Sequence, residues 1–399
     1  MKKRNNLFNI RKVFSRNILP VIFLLLFLFR GFSQEAISDS ALVSQLLNEI
    51  AALQVKDSGD FYRGTFPTYR YFAGFPHNTK PDNGVYYTGL ISFTLKKYFN
   101  HFTPNQQAIA KTIMQKAEEA YPYFKNKDDK PIYFFWPTGK QIMPHSLFAK
   151  NLSFLLSTAE DADDTVMILM SMLEQNDSIN RLAKSWIDTF ANTRIRTIKS
   201  TYKKYKQIPA YNTYLGKKMH GDFDLCVQAN VLYFNYANHL PLNRYDSATI
   251  HLIASVLENK EHLNDAAFVA PYYVRRPVIL YHLARLMGTF EIALLEKYKT
   301  LLIRQIKEEL EHSEIMLDKV ILSTALHMLK TDTPPLTITS LEIYTQHDKN
   351  FIFYQARAGS QMAMPFKRIF LNAGFLNFYF YCPAYNKALL LEYLMERNK

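Results

Sequence analysis

The 399-residue chain is 48% hydrophobic and 15% aromatic with a formal charge of +13, a composition that excludes a disordered or collagen-like polymer and permits a large core. Seven of its 48 basic residues and none of its 35 acidic ones fall in the first 33 positions, so the remainder carries only +6. Lys203-Lys204-Tyr205-Lys206 and Lys217-Lys218 are then short solvated runs rather than a phosphate-tracking stripe, and no nucleic-acid partner is expected.

Residues 1–33 read as an export signal. Lys2, Lys3, Arg4, Arg11, Lys12, Arg16 and Arg30 surround the apolar run 18–29, and Gly31-Phe32-Ser33 offers a cleavage site before Gln34. Twelve residues are short against the roughly 20 of a membrane-spanning helix, so cleavage is expected ahead of retention as an N-terminal anchor. The protein is therefore expected to be exported, periplasmic or membrane-associated. Residues 34–399 contain no Gly/Ser- or Pro-rich linker and read as one domain, expected to be a monomer. Cys226 and Cys382 are too few for a disulfide scaffold; they permit one bridge and demand none.

Two kinds of helical segment then alternate. Residues 41–53, 103–121, 179–195, 247–258, 290–311 and, more weakly, 338–344 place apolar side chains at three- and four-residue spacing, as surface helices do. Residues 82–95, 161–173, 224–237, 275–287, 318–329 and 386–395 are apolar nearly all round, which demands burial on every face. Six of each predict an all-α fold, an (α/α)6 toroid with an inner ring of buried helices inside an outer ring. Alternating Phe, Tyr and Ile at 350–356 and 367–380 predict a small β-hairpin insertion near the C-terminus. Pro and Gly clusters at 74–81, 136–144 and 359–365 predict loops. Parallel inner helices would gather Asp82, the Asp161 cluster, Asp222, Asp224, Arg275, Arg276 and Asp318 at one end of a central cavity.

Asp161-Ala162-Asp163-Asp164-Thr165, preceded by Glu160, crowds four carboxyl groups before an apolar run. Each charge raises the pKa of its neighbours, and a carboxyl group kept protonated is a candidate general acid. The competing role is helix capping, because Ser157-Thr158-Ala159-Glu160 has capping-box form and first-turn carboxylates complement the helix dipole. Arg275-Arg276 before Pro277 is placed either to bind an anionic group of a ligand or to neutralise the acidic cluster. Aromatic stretches at 62–70 and 133–137, including Trp136, are placed to cover a cavity, and His77 and His145 to shuttle protons near its mouth.

The acidic run resembles the DxDDT motif of squalene-hopene and class II diterpene cyclases, and Pro383-Ala384-Tyr385-Asn386-Lys387-Ala388-Leu389-Leu390-Leu391-Glu392 is similar to the closing helix of that terpenoid cyclase and prenyltransferase superfamily. The resemblance implies an α/α toroid in which Asp163 protonates an alkene or epoxide of an isoprenoid lipid, while Asp161 and Asp164 hold its proton and geometry. It also implies a class II terpene cyclase-like isomerase or lyase without a cofactor; from their expected place at the cavity end, Arg275, Arg276, Asp82, Asp224 and Trp136 are expected to contact substrate. Asp224, Cys226 and His282 resemble, in order and spacing, the zinc ligands of protein prenyltransferase β subunits. That set has sound chemistry for zinc, with three ligands and an open fourth position.

Two other function classes fit the same segments. Paired carboxylates ~5 or 6.5–9.5 Å apart would suit an exported carbohydrate-active toroid. A non-catalytic toroid binding a lipid or partner at a membrane surface would use the acids structurally.

Overall fold

The computed structural model describes residues 38–138, 144–145, 160–216, 219–336, 338, 351–357, 359–372 and 377–399. The expected signal, residues 1–33, lies outside them, as do Ser157-Thr158-Ala159, Lys217-Lys218 and nearly all of 338–344. By its contacts the chain divides into residues 1–42 and a main unit, 43–399. Among the described residues no helix is long and apolar enough to cross a membrane.

Among the described residues, twelve helices of seven or more residues follow in order: α1 (Asp39–Leu53), α2 (Tyr86–Lys97), α3 (Pro104–Ala120), α4 (Ala162–Ser171), α5 (Asp177–Thr189), α6 (Leu225–Ala237), α7 (Arg244–Glu258), α8 (Arg276–Thr289), α9 (Lys299–His312), α10 (Met316–Met328), α11 (Phe366–Asn372) and α12 (Pro383–Arg397). Within the main unit α2, α4, α6, α8, α10 and α12 form a closed circuit, each packed on the next and α12 returning to α2. These are the six segments that are apolar on every face, and in α4 every residue from Ala162 to Ser171 is buried. Fully buried Ile and Leu side chains such as Ile168, Leu280 and Ile321 contribute about 1.5–3 kcal/mol each. The amphipathic helices pack outside the circuit: α3 on α2, α5 on α4, α7 on α6, and α9 on α8 and α10.

Capping decides where these helices begin. The Thr103 and Gln106 side chains form a capping box at α3, Asn176 caps α5, and Asn243 with Asp246 caps α7. The amphipathic segment expected to run to 195 stops at Thr189. There the Asn192 side chain draws the chain out of the helix by bonding Ile198 N–H and the Lys206 and Ile208 carbonyls. The segment 290–311 is interrupted, with one turn at Ala293–Glu296 before α9.

The all-α expectation is corrected by two antiparallel sheets. The first has strands β1 (Thr68–Phe72) and β2 (Phe75–Asp82); the second has β3 (Tyr133–Phe134), β4 (Glu160–Asp161) and β5 (Tyr214–Leu215); and β6 (Tyr354–Arg357) and β7 (Asn377–Tyr381) complete the first in the order β2-β1-β7-β6. The expected C-terminal hairpin therefore exists as β6 and β7, although α11 occupies part of its second half. Residues 74–81, expected as a loop, form most of β2. Its two prolines, Pro76 and Pro81, are tolerated because β2 is an edge strand. Cross-strand rings hold β1 to β7, with Tyr69 against Tyr381 at 5.4 Å and Phe72 against Phe378 at 5.0 Å. Cys226 and Cys382 are both free and buried, so the permitted bridge is not formed.

Candidate active site

The acidic run sits at the start of α4, and a small sheet fixes it there. β4 lies between β3 and β5, and Ala162 N–H donates to the Thr213 carbonyl at 2.9 Å. The Thr165 hydroxyl donates to the Asp161 carbonyl at 2.6 Å and accepts from Tyr133 N–H at 3.0 Å. Asp161 is the N-cap, its carboxylate accepting from Asp163 N–H at 2.7 Å. Capping thus accounts for one carboxyl group of the run. Glu160 faces away, towards the Asn126 amide.

Asp163, Asp161 and Asp164 line one cavity of about 960 Å³. Its walls are largely aromatic: Tyr86, Phe135, Trp136, Tyr354 and Phe380 face it, with Tyr86 5.2 Å from Tyr354 and Tyr354 5.1 Å from Phe380, centroid to centroid. Gly84 permits this wall, since a Cβ there would meet the Phe135 ring at 2.6 Å.

The buried Asp163 carboxyl group is held by residues outside the acidic run. Its Oδ1 accepts from the Asn230 amide at 2.6 Å, and its Oδ2 meets the Tyr273 hydroxyl, which bonds the Tyr86 hydroxyl in turn. Arg285, itself buried, donates to the Asn230 carbonyl oxygen. Because a guanidinium only donates, this orients the amide so that its N–H₂ faces Asp163. Of its two neighbours in the run, Asp161 accepts from the Asp163 backbone N–H at 2.7 Å, and Asp164 Oδ1 is buried with no hydrogen-bond partner.

Among the described residues none of Asp161, Asp163 and Asp164 forms an ion pair, and the electrostatics follow. Burial, then the charge of Asp163, pushes Asp161 up to about 8. Burial and both neighbours hold Asp164 well above the usual carboxylate range. Burial also raises Asp163, but Tyr273, Asn230, Tyr86 and Arg285 pull it back by stabilising its anion. The arrangement is a proton-bearing cluster in which one member, Asp163, has donors prepared for its conjugate base.

No protein-family model, curated protein or solved structure matches this chain. Function is therefore read from the geometry of its own residues.

The other expected site residues are dispersed. Trp136 lines the cavity, with its indole N–H 3.2 Å from Asp82. Asp82 itself ends β2 instead of opening a helix, because it binds Gly84 N–H at 3.0 Å and pairs with Arg70 at 3.2 Å. Arg275 pairs with Asp318, and Arg276 is exposed and donates to the Leu263 carbonyl at 3.1 Å, so neither arginine lines the cavity. Asp222 pairs with Lys367 at 3.0 Å. His77 is exposed on β2, and His145 pairs with Asp60 at 2.8 Å.

Asp224 caps α6, accepting from Cys226 N–H at 2.8 Å and Tyr272 N–H at 2.9 Å, and burial still pushes it up to about 7. His282 gives Nδ1 to the Val278 carbonyl at 2.8 Å. Burial, then Arg285, depresses its pKa well below the ordinary value. Among the described residues no group of three His, Cys, Asp or Glu side chains is placed to hold a metal ion, and Asp224, Cys226 and His282 do not form one.

Asn230, Tyr273 and Arg285 carried one legible signal each. Asn230 and Arg285 are polar positions inside otherwise apolar helical segments, and Tyr273 stands in an aromatic pair just before Arg275. Only packing reveals that the three converge on Asp163.

Proposed function

We propose that the protein is an α/α-toroid enzyme of terpenoid cyclase-like chemistry, in which Asp163 protonates an alkene or epoxide of an isoprenoid lipid. One observation carries this reading: a carboxyl group without an ion pair, crowded by two others, opens into a large aromatic cavity. The closed circuit of six buried helices supports the toroid. An alkene is a poor base, so its protonation needs a shielded acid whose anion is stabilised once the proton leaves. Tyr273 and Asn230 supply that stabilisation. The aromatic faces would then favour a carbocation as they favour bound cations.

Delivery of a lipid substrate has support at the cavity mouth. Met362 and Phe366 line the cavity, and with Met364 and Ile369 they form an exposed apolar set, Phe366 and Ile369 being 58% and 61% accessible. Membrane-surface association and export through the N-terminal segment belong to the same proposal. A saccharide-cleaving role has less support, because the three cavity carboxyl groups come from one helix N-terminus and none faces another across a groove. A purely structural role for the acids accounts for Asp82, Asp222 and Asp318, each with its cation, and leaves Asp163 and Asp164 without one.

Incubation with squalene and with its epoxide, followed by mass spectrometry of the extract, tests the reading. Wild-type protein is expected to give cyclised or hydrated product, and Asp163→Asn to lower that turnover by at least ~10²-fold with an unchanged circular dichroism spectrum. Full turnover by the variant would overturn the assignment of Asp163.

A further inference from the structure

The cavity is acidic at one place and basic at another. Arg196, from the loop after α5, and Arg357, at the end of β6, both line it. Arg196 Nη2 and Arg357 Nε are buried without a hydrogen-bond partner. Neither guanidinium belongs to an ion pair among the described residues, whereas buried Arg70 has Asp82 and Arg275 has Asp318.

Their surroundings hold both in place. The loop carrying Arg196 is tied down by Asn192, which bonds Ile198 N–H at 2.7 Å and the Ile208 carbonyl at 2.7 Å. Arg357 Nη2 donates to the Leu371 carbonyl, leaving Nε for another acceptor. Lys199 adds a third cation to the same lining, and the acids of the lining are confined to Asp161, Asp163 and Asp164 at the start of α4. Both arginines are part-buried, and a guanidinium N–H withdrawn from water without an acceptor is costly; a carboxylate or phosphate oxygen is the acceptor that matches it best. Burial pulls both guanidinium groups below their ordinary pKa.

We infer that the cavity binds an amphiphile with an acidic head group, a carboxylate or phosphate monoester, seated on Arg196 and Arg357 while its apolar body lies against the aromatic wall. Tyr354, on that wall, and Arg357 lie on the same strand, and both line the cavity. This deepens the proposed lipid chemistry by naming the polar end of the substrate. It rests on the cavity being the substrate site and not on the role assigned to Asp163.

Quenching of tryptophan fluorescence gives a direct readout, since Trp136 lines the cavity and Trp186 is the other tryptophan of the chain. The probes are farnesoic acid, farnesyl monophosphate and uncharged farnesol. At least one acid is expected to bind about tenfold or more tightly than the alcohol, and the tighter acid names the head group. The Arg196→Gln/Arg357→Gln double variant should lose this preference, the Arg196→Lys/Arg357→Lys variant should retain part of it, and Asp163→Asn should retain all of it. Equal binding of the acids and the alcohol, or a preference that survives in the Gln double variant, would overturn the inference. Because Asp163→Asn keeps head-group binding while losing turnover, failure here and failure of the catalytic reading give different results.

Discussion

Two buried carboxylate clusters in this protein are built on opposite principles. Between α5 and α7, Asp188 and Asp246 share Lys184 at 3.2 and 3.0 Å. Tyr211, Asn235 and Asn243 fill the remaining positions, with Tyr211 2.9 Å and Asn235 2.7 Å from Asp246, and Asn243 2.8 Å from Asp188. At the start of α4, Asp161, Asp163 and Asp164 have no paired cation among the described residues, and Arg285 reaches Asp163 only through Asn230. The first cluster sets its carboxylates around a shared cation. The second keeps its protons, because burial and mutual repulsion make ionisation costly. The difference separates an ion network from a carboxyl cluster that has no paired cation among the described residues.

Breaking each cluster should expose the contrast. Lys184→Met strands two carboxylates away from water and is expected to cost about 3–5 kcal/mol in urea unfolding. A loss well under 1 kcal/mol would mean that the pair is not held by charge. Acid-base dependence is the next largest effect. The folded state binds protons that the unfolded chain releases above pH ~4, since Asp161 is pushed up to about 8 and Asp224 to about 7. Stability from these groups is thus full below pH ~4 and falls as pH rises towards about 8, so the thermal midpoint should drop between pH 5 and 8. A midpoint that rises across this range would reverse the sign and remove the proton-bearing reading. The smallest effect is the most discriminating. Asp164→Asn removes an ionisable group that has no counter-ion among the described residues and that burial and both neighbours hold well above the usual carboxylate range, so it should stabilise the protein against urea at pH 8. Asp246→Asn, the same chemical change beside Lys184, should destabilise it.

The helices were legible because their signal is local. The faces of α4, α6 and α8 follow from periodicity, and Asp161 and Thr103 stand at the expected starts, whereas the caps Asn176 and Asn243 lie ahead of the starts expected at 179 and 247. The first sheet was not legible in the same way, because β1 pairs with β7, some 300 residues further along, and no local pattern carries that pairing. Asp82 illustrates the limit. It has the form of a helix cap like Asp161 and Asp224, yet Arg70 and Trp136 claim its carboxylate at the end of a strand. Arg275 and Arg276 likewise stood where an anion site was expected, while the arginines that line the cavity, without an ion pair among the described residues, are Arg196 and Arg357, in stretches that looked ordinary.

By itself the sequence determined which segments are buried helices and where carboxyl groups crowd, since both depend on neighbours within a few residues. Tertiary structure alone decided which carboxyl group gains donors for its anion and which cavity arginines have no ion pair among the described residues. Those properties depend on dielectric surroundings and on hydrogen-bond partners brought together from distant parts of the chain.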